Sequence, residues 1–102
     1  MATLDITPAA RSELLALLQQ YLPGVTVWAF GSRARGTAKP YSDLDLAILG
    51  EAPLGLAVSA ALADDFSESD LPWKVDVVDW ATTSETFRRI IERDRVVLQP
   101  AT

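Results

Sequence analysis

The chain has no cysteine and no histidine among its 102 residues. Disulfides, thiolate-bound zinc and imidazole catalysis are therefore excluded, and any metal here must be hard and held by oxygen. Positive charge is also scarce: nine Lys and Arg stand against fourteen Asp and Glu, a formal net charge of −5. Such a surface repels phosphate backbones, so no stable nucleic-acid binding is expected, because that rests on broad basic neutralisation. A small anion could still find the local cluster Arg33, Arg35 and Lys39. No apolar run approaches the roughly 20 residues that cross a bilayer. Met1–Asp5 has no basic stretch leading into an apolar one, so neither an anchor nor a signal peptide is expected, and the expected location is the cytoplasm.

What the sequence does contain is the balance of a globular protein, with 49% hydrophobic and 23% charged residues. Residues 1–102 are expected to form a single domain, since this length leaves no room for a second core. Thr7-Pro8 opens a helix whose Leu14, Leu15, Leu18 and Leu22 make an apolar stripe, and Pro23-Gly24 stops it. Val25–Phe30 is a strand rich in β-branched and aromatic residues. Arg33–Tyr41 is a loop or short helical turn, and Asp43–Leu49 is a second strand. A helix over Leu54–Phe66, a strand over Trp73–Val78 and a last helix capped by Thr82, Thr83 or Ser84 follow. Phe87, Ile90 and Ile91 should be the buried stripe of that helix, with Val96–Leu98 adding a short edge strand. The expected class is α+β, an α/β sandwich in which a small mixed β-sheet packs against helices.

The chemistry concentrates in two stretches. Asp43 and Asp45 alternate along a strand and so project from one face, roughly 6.5–7 Å apart at Cα. Two anions that close repel, and a site that gathers them usually supplies a cation. Asp76 lies in Lys74-Val75-Asp76-Val77-Val78, a strand apolar enough to be central, where a charge is expensive unless paired or metal-bound. If the two strands are neighbours, three carboxylates converge, enough for two divalent ions roughly 4 Å apart. Asp79 is the rival third carboxylate, but three residues on it turns to the opposite face. Ahead of them stands Gly31-Ser32, where a backbone without a side chain and a hydroxyl suit a phosphate. Arg33 and Arg35 can add charge-assisted hydrogen bonds. Each element alone fits an ordinary solvated turn or half-exposed strand; their combination in one short chain does not.

Gly31-Ser32, ten intervening residues, then Asp43-Leu44-Asp45 resembles the signature of the DNA polymerase beta-like nucleotidyltransferase superfamily. The fuller stretch from Gly31-Ser32-Arg33-Ala34-Arg35-Gly36 to Ser42-Asp43-Leu44-Asp45-Leu46-Ala47 is similar to the minimal nucleotidyltransferases, and Trp73–Trp80 resembles the strand carrying their third carboxylate. The resemblance runs from about Val25 to Leu98. It implies that Gly31 and Ser32 grip the β- and γ-phosphates of ATP, with Arg33 or Arg35 steadying the triphosphate. It further implies that Asp43, Asp45 and Asp76 hold two Mg²⁺ ions, with Mn²⁺ as substitute, and that Asp76 helps accept a proton. The implied reaction is transfer of AMP to a protein hydroxyl with release of pyrophosphate. The implied partner is a HEPN ribonuclease toxin, modified on a tyrosine, for which this chain would be the antitoxin. Two alternatives stand beside it: an antitoxin that neutralises by contact alone, and a transferase acting on a small molecule or RNA end.

Overall fold

A computed structural model describes residues 4–50 and 52–100. Met1–Thr3, part of the stretch read for a signal, lie outside the described residues. Helix α1 (Pro8–Tyr21) starts as its sequence dictates: the Thr7 hydroxyl accepts the Ala10 N–H at 3.2 Å, and Pro8 sits where no N–H is needed. Ala10, Leu14 and Leu18, four residues apart, form its buried stripe.

Strands β1 (Thr26–Phe30), β2 (Leu44–Leu49), β3 (Val75–Asp79) and β4 (Val96–Gln99) form one mixed sheet in the order β3-β2-β1-β4. β1 is antiparallel to both neighbours, and β2 and β3 are parallel. A four-residue helix, α2 (Ser32–Arg35), follows β1; α3 (Leu56–Glu68) links β2 to β3; a 3₁₀ turn (Trp80–Thr82) and α4 (Glu85–Asp94) link β3 to β4.

Alternation along the strands gives the sheet two unlike faces. Val27, Ala29, Leu44, Leu46, Ile48 and Leu98 meet Leu14, Leu18, Leu62 and Phe66 of α1 and α3 in the main core. Each fully buried leucine or isoleucine there contributes about 1.5–3 kcal/mol by leaving water. The opposite face carries Trp28, Phe30, Ala47 and Val78, and Ile91 of α4 packs against it in a smaller cluster. Buried Gln99 ties the end of β4 to the turn after α1, donating from Nε2 to the carbonyls of Leu22 and Val25, both at 2.8 Å.

Two expectations need correction. Of the supposed α4 stripe only Ile91 is buried, while Phe87 and Ile90 remain 37% and 39% exposed. α4 rests mainly on β1, so only the side chain pointing straight at the sheet is covered. Ser84 is the residue that caps this helix, accepting the Phe87 N–H, whereas Thr82 and Thr83 turn their hydroxyls to the Asp79 carbonyl. The second correction concerns β3, which is an edge strand rather than a central one. Its apolar residues are explained by packing on the two faces of the sheet, Val75 in the main core and Val78 in the smaller cluster, not by strands on both sides.

Candidate active site

The site is assembled where β1 runs out. Gly31 has φ 80° and ψ −159°, a region open essentially to glycine alone. That kink turns the chain from β1 into α2, whose first N–H groups, on Ser32 and Arg33, are left by helix geometry for an outside acceptor. Phe30 is paired with Asp45 across the antiparallel ladder, so Gly31 lies against the Asp45 side chain. A methyl group built on Gly31 would run into Oδ2 of Asp45. Backbone conformation requires glycine here, and any larger residue would also have to displace the Asp45 carboxylate.

The parallel ladder places Asp76 directly opposite Asp45, on strands about 4.8 Å apart. Asp43 lies two residues ahead of Asp45, exposed at the entrance to β2. Burial pushes the Asp45 carboxyl above the usual carboxylate range, and the charges of Asp76 and Asp43 push it further, while Arg35 pulls it down. The three carboxylates and Arg35 thus act on one another. They do not close on a single point: among the described residues no group of three acidic side chains is drawn together tightly enough to hold a cation. Three like charges repel, and Asp76 instead lies 3.9 Å from Nζ of Lys74. Only the donor type, all oxygen, is one that suits a hard divalent cation.

Asp79 faces the other way. Its Oδ2 accepts the Leu54 N–H at 2.6 Å, and its Oδ1 is buried without a partner among the described residues. It anchors the segment leading into α3 and takes no part in the carboxylate group.

The two arginines part company. On a helix, residues two apart point about 200° apart, so α2 cannot aim both at one ligand. Arg33 is buried, and its guanidinium donates to the carbonyls of Ser42, Asp5, Lys39 and Pro40 at 2.9, 3.1, 3.3 and 3.2 Å. It also lies 4.9 Å over the Trp73 ring. Arg33 therefore clamps the loop that delivers Asp43, and its donors are engaged there rather than offered to a phosphate. Arg35 stays half-exposed on the carboxylate side and pairs with Asp94 at 3.2 Å. Asp94, at the end of α4 and itself buried, is a site neighbour that nothing in the local sequence announces. Helical spacing alone says that Arg33 and Arg35 diverge, not which of them is the clamp.

Residues 11–99 match the profile of the nucleotidyltransferase domain. The chain is 56% identical over 98 residues to the Probable protein adenylyltransferase MntA of Haemophilus influenzae, covering 96% of this chain and 86% of that one. Its fold superimposes with a TM-score of 0.75 on a chain of a toxin–antitoxin crystal structure with AMP-PNP, at 26% identity and covering 90% of this chain and 74% of that one. A further likeness, of fold, is to a chain of a tri-AMPylated Shewanella oneidensis HEPN toxin in complex with its MNT antitoxin (TM-score 0.69, 24% identity, 91% and 71% covered). Since the profile match runs from the first helix to the last strand and takes in both the glycine turn and the paired carboxylates, the chain belongs to the nucleotidyltransferase domain family.

Proposed function

We propose that this nucleotidyltransferase transfers AMP from ATP to a tyrosine hydroxyl of a partner toxin of the HEPN class, and so serves as its antitoxin. The observation that carries the reading is the register Phe30–Asp45–Asp76, which puts the Gly31 turn beside two facing carboxylates. The adenylyltransferase name of the 56%-identical relative supports AMP as the group transferred, and the AMP-PNP of the solved toxin–antitoxin complex supports ATP as its source.

In this mechanism the amides and hydroxyl at Gly31-Ser32 hold the β- and γ-phosphates, and Arg35 adds its charge from the open side. Asp43, Asp45 and Asp76 are the residues that would hold Mg²⁺, which when bound neutralises phosphate charge and acidifies the attacking hydroxyl. The tyrosine oxygen attacks the α-phosphorus and the bond from that phosphorus to the bridging oxygen breaks. Pyrophosphate leaves, and the tyrosine proton passes to a carboxylate oxygen of Asp76. Arg33 holds the 39–42 segment so that Asp43 stays beside the site. No helix among the described residues is long and apolar enough to cross a membrane, and we place the reaction in the cytoplasm.

Incubating the chain with Mg²⁺, α-labelled ATP and the toxin encoded beside it should label the toxin on tyrosine. Asp43→Ala with Asp45→Ala should abolish both labelling and neutralisation. A folded double variant that still neutralises would instead establish an antitoxin acting by contact, and labelling of an RNA or small molecule in place of the toxin would redirect the acceptor.

A further inference from the structure

We propose that the outer edge of β3 is the acceptor's docking strand: an extended segment of the partner protein adds to it and sets its reactive hydroxyl beside Asp76. The proposal rests on the AMP-transfer reading and says how the acceptor reaches the site.

The ladder fixes which backbone groups are available. The Lys74 carbonyl accepts the Leu44 N–H at 2.9 Å, so residues 74, 76 and 78 turn their N–H and C=O groups towards β2. In a parallel ladder the intervening residues, 75, 77 and 79, turn theirs outward. Asp79 spends its carbonyl on the hydroxyls of Thr82 and Thr83. Among the described residues nothing hydrogen-bonds the outward groups of Val75 and Val77. Donors and acceptors repeating every second residue along an open edge match another extended strand, and no helix presents such a row.

Side-chain alternation then makes the edge useful. Asp76 shares a face with Asp45, while Val75 packs on the α3 side. On that side two adjoining hollows of about 410 and 300 Å³ run along β3; Ala63, Phe66 and Val75 line them together with the charged Lys74, Asp76 and Asp79. A strand laid on the edge would send one residue to the carboxylate face, about 4.8 Å from Asp76, and its two neighbours into the hollows. Asp76 has β2 on one side, so an acceptor in the plane of the sheet must come from the other. Lys74, just ahead of the strand, is 75% exposed and only loosely paired with Asp76 at 3.9 Å, and so favours an acidic residue in the incoming segment. The occupant is therefore an extended stretch of the acceptor protein, apolar on either side of the tyrosine and acidic nearby.

The test uses the intact chain and the partner toxin. Adding toxin without ATP should slow hydrogen exchange at the Val75 and Val77 amides at least tenfold. Val77→Pro removes an outward donor at a position where an edge strand tolerates proline, and should raise the KM for toxin at least tenfold. Its ATP affinity should not change, and Val77→Thr should behave as wild type. Should Val77→Pro fail to fold, Ala63→Arg, which fills the hollow, replaces it with the same expectation. Unchanged amide exchange, or a folded Val77→Pro chain with wild-type KM for toxin, overturns the proposal. So does protection that grows with the concentration of the isolated chain, which would mark a second copy as occupant. Protection without AMP transfer would keep the docking strand and remove the transfer reading; transfer with a silent Val77→Pro would do the reverse.

Discussion

Arg33 and Arg35 stand two residues apart and should fail in opposite ways. Arg33→Met keeps the stem and removes the buried guanidinium. Of its four carbonyl partners, Asp5, Lys39 and Pro40 are exposed residues and Ser42 is half-buried, and the carbonyls of Ser42 and Asp5 hold the two shorter bonds. Counting about 1.5 kcal/mol for each of the two shorter charge-assisted bonds and about 1 kcal/mol for the contact with Trp73 gives a loss of about 4 kcal/mol. For a domain of this size that lowers Tm by about 15–30 °C, a large share of a total stability of about 5–15 kcal/mol. Arg35→Met breaks a half-exposed pair and leaves Asp94 with Arg93 at 3.2 Å, so the loss should stay within about 1 kcal/mol. Its effect belongs in the affinity for ATP with Mg²⁺, where losing one charge-assisted contact of about 1.5 kcal/mol weakens binding roughly tenfold. Urea unfolding and calorimetric titration of ATP on both variants decide the matter. An Arg33→Met chain as stable as wild type but tenfold weaker for ATP would refute the assignment.

Two further substitutions probe the turn and the carboxylates. Gly31→Ala should cost about 1–3 kcal/mol for its backbone region and, by displacing Asp45, should lower kcat by more than its stability loss explains. A variant with wild-type kcat would show that the close approach is not needed. Asp45→Asn should abolish AMP transfer yet stabilise the chelator-treated protein at pH 7. Because burial and then the charges of Asp76 and Asp43 raise the folded pKa of this carboxyl, its stabilising contribution is complete below the unfolded value and is lost as pH rises through the folded one. Asparagine has no such loss, so the urea midpoints of the two proteins should diverge from about pH 4 upward; coincident midpoints at pH 7 would contradict it.

The elements, the glycine turn after the first strand and the face shared by Asp43 and Asp45 were legible in the residues. They follow from local rules: a capping threonine before proline, period-two alternation, and a glycine followed by a serine at a strand end. The spacing between Gly31-Ser32 and Asp43 carried meaning only through its resemblance to the nucleotidyltransferase signature, since an antiparallel strand can be reached by a much shorter turn. Strand order carried no such local mark. That β3 lies parallel to β2 with Asp76 opposite Asp45, and at the sheet's edge, depends on the crossover through α3, which only packing against the main core fixes. The fates of the two arginines were likewise decided in three dimensions. Chemically alike in the sequence, they differ because carbonyls of the following loop, the Asp5 carbonyl and the Trp73 ring surround one of them, and an aspartate side chain buried at the end of the last helix meets the other.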